Sequence, residues 1–139
     1  MLALILGEGL KHVGQVSDAA LRALMENARC FVFPSQYEGF GFPPLEAMAL
    51  GCPVATSDIP PLREACGKAC IFFDPDDPKD IAERVLALSN DEAQRVYLGN
   101  AGLEVTRNLT WDRSAQKWLD LLSNASKSSR VLWSDSHNT

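Results

Sequence analysis

Basic residues are sparse and dispersed: 13 Lys and Arg stand against 18 Asp and Glu, with two histidines and a net charge of −5. With no basic cluster to neutralise a run of phosphates, nucleic acid is a poor partner. Long apolar runs are missing as well. Nothing approaches the ~18 consecutive apolar residues of a membrane span. The start, MLALILGEG, pairs a short apolar run with no basic flank, unlike a secretory signal. These lacks point to a cytoplasmic protein and leave only peripheral membrane contact open. Cysteines are few, and Cys30, Cys52, Cys66 and Cys70 show no zinc-ligand spacing, so they are read as buried, reduced thiols. Asn108-Leu109-Thr110 matches a glycosylation acceptor, a match without meaning when no export signal is present.

What is there suffices for one globular domain: 139 residues, 46% hydrophobic and 22% charged. The rhythm is short strand, turn, helix. An apolar run covers Leu2 to Leu6, and Ser17 or Asp18 caps a helix with an apolar face of Leu21, Leu24, Met25 and Ala28. Strands are expected at Cys30–Phe33, Pro53–Thr56 and Cys70–Phe73. Helices are expected at Pro43–Leu50, stopped by Gly51, then near Leu62–Ala65, from Pro78 to about Leu88, and from Asp91 to about Val105. Thr110 caps a last helix with the stripe Trp111, Ala115, Trp118, Leu119 and Leu122, and residues 126–139 read as a disordered polar tail. The strands are continuous apolar runs separated by helices, which predicts an α/β fold: a parallel sheet with helices on both faces.

In such sheets ligands bind beyond the carboxyl ends of the strands. The loop after Cys30–Phe33 carries YEGFGFPPLEAMALGCP, residues 37–53, in which Glu38 and Glu46 have seven residues between them, starting with Gly39-Phe40-Gly41-Phe42. Pro43 and Pro44 have no N–H, so backbone donors come from residues 39–42 and Leu45, with Gly39 and Gly41 supplying freedom of φ. Donors beside two carboxylates suit a diphosphate lying between two polyols. Helix punctuation explains the same residues: Glu46 near a helix start gains ~0.3–1 kcal/mol from the dipole alone, and the phenylalanines pack. Spacing alone favours the second reading.

Order and spacing along the chain change the balance. GQVSDAALRALMENARCFVFPS, EGFGFPPLEAMALGCPVATSDIPPLREACG, FFDPDDPKDIAERV and LTWDRSAQKW together resemble the sugar-nucleotide-binding half of glycosyltransferase family 4 (group 1, GT-B fold) over Gly14 to about Leu122. The resemblance implies a Rossmann-like domain, residues 1–125, forming the C-terminal half of a GT-B fold. It implies that Glu38 contacts the donor sugar at its anomeric centre and Glu46 the ribose hydroxyls. The amides of Gly39, Phe40, Gly41 and Phe42 would bind sugar and phosphate, and Val16, Ser17 and Asp18 the base, with Pro34-Ser35 beside the site. Transfer would retain anomeric configuration, with no metal or other cofactor. Asp74, Asp76 and Asp77 are accordingly read as turn and cap residues.

The departures are specific. The acceptor-binding half is missing, as is the segment that in the family supplies an Arg and a Lys for the donor diphosphate; no basic residue precedes Lys11. A strand is expected at Lys11–Gly14, yet only Leu10 separates it from Gly9, whereas a parallel crossover needs about a dozen residues or more. The expectation is a donor-binding domain, inactive alone, of an enzyme that moves a hexose-type sugar from a nucleotide-diphosphate-sugar to a saccharide or lipid-linked acceptor. The alternative is a non-catalytic partner that completes a cleft with a separate N-terminal half, docking through the Trp118 helix. A two-carboxylate glycosidase is weaker, since nothing fixes its acids across a bond.

Overall fold

The computed structural model describes the backbone of residues 11–135 and the side chains of residues 11–126. The apolar run Leu2–Leu6 lies outside the described residues. In chain order the elements are α1 (Asp18–Asn27), β1 (Phe31–Phe33), α2 (Phe42–Ala49), β2 (Val54–Ser57), α3 (Pro60–Cys66), β3 (Cys70–Phe73), α4 (Pro78–Asn90), α5 (Glu92–Arg107) and α6 (Trp111–Asp135). The strands form a parallel sheet in the order β1-β2-β3, with Phe31 opposite Val54 and Val54 opposite Cys70. The expected α/β architecture is therefore the observed one.

Because side chains alternate across a strand, each strand feeds two cores. Phe31, Val54, Cys70 and Phe72 point into one, closed by Met25 of α1, Leu45 and Met48 of α2, Cys66 of α3 and Ala101 and Val105 of α5. Val32, Ala55, Ile71 and Phe73 point into the other, with Ile81, Val85 and Leu88 of α4 and Leu98 of α5. β2 is buried along its whole length, as a strand between two neighbours and two helical layers must be. Burial pushes the Cys52 thiol up to about 11, so it is protonated at neutral pH.

Glycines set how closely α5 lies on α2. A Cβ at Gly99 would come 2.6 Å from the Gly51 carbonyl oxygen, and one at Gly102 would stand 3.0 Å from Met48. Since Gly99 meets Gly51, just past the end of α2, and Gly102 meets Met48 in its last turn, the two helices run antiparallel. The end of α5 and the start of α6 are thereby carried to the N-terminus of α2, at the carboxyl edge of the strands.

Two expectations are corrected. Residues 11–14 are not a strand: they make no strand pairing among the described residues, Val13 is exposed, and Gly14 at φ +63° breaks an extended path. The short link from Gly9 already denied that segment a parallel neighbour. The final helix continues past residue 126, through a segment read as a polar tail, and no Gly or Pro interrupts Trp111 to Asp135.

Candidate functional site

The loop between β1 and α2 leaves the sheet at the carboxyl edge, and its ends are tied to the neighbouring strands. Thr56 Oγ1 and Ser57 Oγ, at the end of β2, donate to the Phe33 carbonyl at 3.2 and 3.4 Å. Gln36 Nε2 donates to Asp76 Oδ1 in the turn after β3 at 2.6 Å. Within the loop Ser35 Oγ lies 2.8 Å from Glu38 Oε1 and 3.0 Å from the Tyr37 carbonyl oxygen, so its hydroxyl donates to the half-buried carboxylate or is shared between the two. The carboxylate is thus held from its own strand end.

The amides of Gly39, Phe40, Gly41 and Phe42 have no acceptor among the described residues. Four consecutive free donors at a strand end suit an anion or a ring of hydroxyls. The two glycines reach this arrangement differently from the sequence reading. Gly41, the residue before α2, has φ +93°, and a Cβ there would overlap the buried Leu62 side chain. Gly39 has no positive φ and no neighbour within 4 Å of a built Cβ, so neither chain conformation nor space demands glycine there.

Glu46, in the second turn of α2, is exposed and has no hydrogen-bond or ion-pair partner among the described residues. No contact joins it to Glu38. It lies instead on the wall of a 540 Å³ cavity between α2 and the start of α6, with Phe40, Phe42, Leu109, Thr110 and Trp111. The Phe40 and Phe42 rings touch, with centroids 5.1 Å apart and tilted by 54°, yet they remain 43% and 59% exposed. They cover each other rather than the core.

Val16, Ser17 and Asp18 stand at the N-terminus of α1. Since α1 precedes a parallel strand and runs back along it, that N-terminus also belongs to the carboxyl edge. Ser17 Oγ accepts from the Ala20 amide at 3.3 Å, so its oxygen is in use as a cap, and none of the three lines the cavity. The acidic turn is built as its spacing suggests. Asp74 Oδ1 accepts from Asp76 N at 2.9 Å, and Asp77 Oδ1 from Lys79 N at 2.8 Å and Asp80 N at 3.3 Å. The Asp74 amide beside Asp80, then the Arg84 guanidinium, hold the Asp80 carboxyl below its usual value.

Sequence reasoning missed the ties from Thr56, Ser57 and Asp76, which join positions 23, 24 and 40 residues apart. It also missed the cavity, whose one signal was an aromatic, Trp111, at a helix start.

A parallel α/β layer with a held carboxylate and free amides at the strand ends is the kind of surface on which such sheets bind ligands. The comparisons name the family. The profile "Glycosyl transferases group 1" matches residues 1–105. O-antigen chain mannosyltransferase B of Escherichia coli is 38% identical over 103 residues, which cover 74% of this chain and 27% of the relative. The serotype-specific mannosyltransferase WbdA of Escherichia coli is 36% identical over 111 residues, 80% of this chain and 14% of the relative. Sucrose-phosphate synthase from Thermosynechococcus elongatus superposes with a TM-score of 0.77 at 28% identity, covering 91% of this chain and 33% of that one. The chain belongs to the group 1 glycosyl transferase family and has its α/β, GT-B type architecture. It spans about a quarter or less of the mannosyltransferases it matches.

Proposed function

We propose that this chain is the donor-binding part of a retaining glycosyltransferase, which moves a hexose-type sugar from a nucleotide-diphosphate-sugar to a saccharide or lipid-linked acceptor. The observation that carries the reading is the loop after β1: a carboxylate beside Ser35, followed by four free amides, in a family whose name is glycosyl transfer. In this reading Glu38 lies beside the anomeric carbon and stabilises positive charge as the bond to the diphosphate opens. The amides of residues 39–42 bind the donor sugar and its phosphate. Glu46 accepts hydrogen bonds from ribose hydroxyls, and Val16, Ser17 and Asp18 contact the base from the N-terminus of α1. The Asp74 and Asp77 carboxylates are used by backbone N–H groups, so the reading assigns them no metal. Turnover needs the remainder of a two-domain cleft, and the chain alone binds donor without transferring.

A second reading keeps the docking role and drops the chemistry: a non-catalytic partner that completes a cleft with a separate half. The exposed apolar residues of α6, with Trp118, Leu119 and Leu122 at 60–65% exposure, favour that assembly. Co-purification from native extract separates the two, since a clean monomer argues against a docking subunit.

Calorimetric titration with UDP, GDP and ADP and their sugar conjugates tests the first reading. One base is expected to bind, and Glu46→Ala to weaken it by roughly ten- to a hundredfold, the range for a hydrogen bond to a charged group. Equal heats for all three, unchanged by the substitution, would remove the nucleotide from this loop. Release of sugar by the chain alone would overturn its predicted inactivity.

A further inference from the structure

We propose that a 460 Å³ cavity at the amino edge of the sheet is a separate binding site, which takes a phosphate monoester with a small apolar body. Arg29 and Pro53 on its wall stand just before β1 and β2, so it lies at the far end of the strands from residues 38–42. It shares no residue with the proposed donor site and does not rest on that reading.

Two guanidinium groups meet there without a counter-charge. Arg95 Nη1 donates to the Leu88 carbonyl at 3.3 Å and to the Ser89 carbonyl, and Arg29 Nη1 reaches the same Ser89 oxygen at 3.5 Å. These carbonyls aim the side chains but carry no full charge. Arg22, Arg63 and Arg84 each have a carboxylate partner. Neither Arg29 nor Arg95 has one among the described residues, and no Asp or Glu lines the cavity. Two like charges drawn to one oxygen repel each other, and a dianion between them relieves the repulsion. Each guanidinium has used one nitrogen, so N–H donors remain on both for phosphate oxygens.

The opposing charge is smaller. The helices α1, α2 and α4 end at this edge and α5 begins there, which at roughly half a charge per helix end leaves about −1. Two arginines outweigh it, so the cavity stays positive in a chain of net charge −5. The volume, within the ~300–1,000 Å³ of small-molecule sites, exceeds what a phosphate alone needs. Pro53, Val96 and Leu103 give the remaining space an apolar wall. The Asn100 side chain, without a partner among the described residues, is free to bond an ester oxygen. A carboxylate monoanion leaves one of the two guanidinium groups uncompensated.

Amide NMR of the whole chain, titrated with phenyl phosphate, inorganic phosphate and benzoate, tests the site. Salt at about 0.15 M screens non-specific surface attraction. Phenyl phosphate is expected to shift the Gly51, Gly99 and Asn100 amides saturably, and to bind about tenfold more tightly than benzoate, with inorganic phosphate between them. Arg29→Gln is expected to weaken it by about tenfold, and Asn100→Asp, which sets a carboxylate on the wall, by at least as much. Both residues are exposed, so both variants are expected to fold, with urea midpoints like that of the wild type. The site is overturned if these amides show no saturable shift or if shifts are confined to residues 39–42. It is equally overturned if benzoate or inorganic phosphate binds as tightly as phenyl phosphate, or if binding survives both substitutions.

Discussion

Gly39 and Gly41 lie two residues apart in one loop and make opposite demands on side-chain size. At Gly41 a methyl group meets buried Leu62 and the backbone has φ +93°. Gly41→Ala is therefore expected to cost about 2–4 kcal/mol from strained backbone and overpacking together. At Gly39, with open space and ordinary φ, the same change is expected to cost less than about 1 kcal/mol. Urea unfolding of the two variants checks the pair, and equal losses would contradict the geometry. The sequence reading treated both glycines alike, because a glycine's φ and its neighbour across the fold are not written in the residues beside it. Glu38 was legible as a candidate through its position after a strand. Its partner Ser35 was legible only as a nearby residue, since a hydrogen bond depends on a rotamer that spacing does not specify.

Elements were easier to read than their connections. β2 and β3 were visible as short continuous apolar runs, and α4 through Asp77, whose carboxylate caps it as expected. The start of α4 also carries a pH dependence. Asp80 accepts from the Asp74 amide at 2.9 Å and pairs with Arg84 at 3.1 Å, which depresses its pKa below the ordinary 3.8. A depressed carboxyl contributes stability that is present above its unfolded value and lost as pH falls through the folded one. Compared with Asp80→Asn, the wild-type advantage in urea midpoint is thus expected to be full above 3.8 and to fade as pH drops below it. An advantage that grows on acidification would reverse the assignment. Lys11–Gly14 failed as a strand for a reason of connection: a segment with Val13 as its one apolar side chain forms a strand only where a neighbour is within reach of the chain.

The whole molecule has two parts with different claims on stability. The sheet and α1–α5 share the two cores, while every described side chain of α6 from Trp111 to Ser126 is exposed. Removing residues 111–139 is expected to change unfolding free energy by less than about 1 kcal/mol, measured by denaturant titration of the shortened chain. It also removes Trp111 and Ser114 from the wall of the 540 Å³ cavity beside α2. Sequence periodicity showed the α6 stripe but not whether anything covers it, because amphipathicity predicts a buried face without saying in which molecule.

The seam between loop and helix at Gly41 works as an angular setting. α2 begins where the backbone is locked against Leu62, and each residue thereafter turns the helix by about 100°. Glu46 faces the cavity because it falls between the buried positions Leu45 and Ala47 at one particular phase of that rotation. Lengthening or shortening the chain by a single residue between Gly41 and Glu46 would swing the carboxylate toward the core and bring an apolar side chain to the rim. The seven-residue interval between the two acids is thus less a distance than a dial position, with Gly41 as its fixed stop.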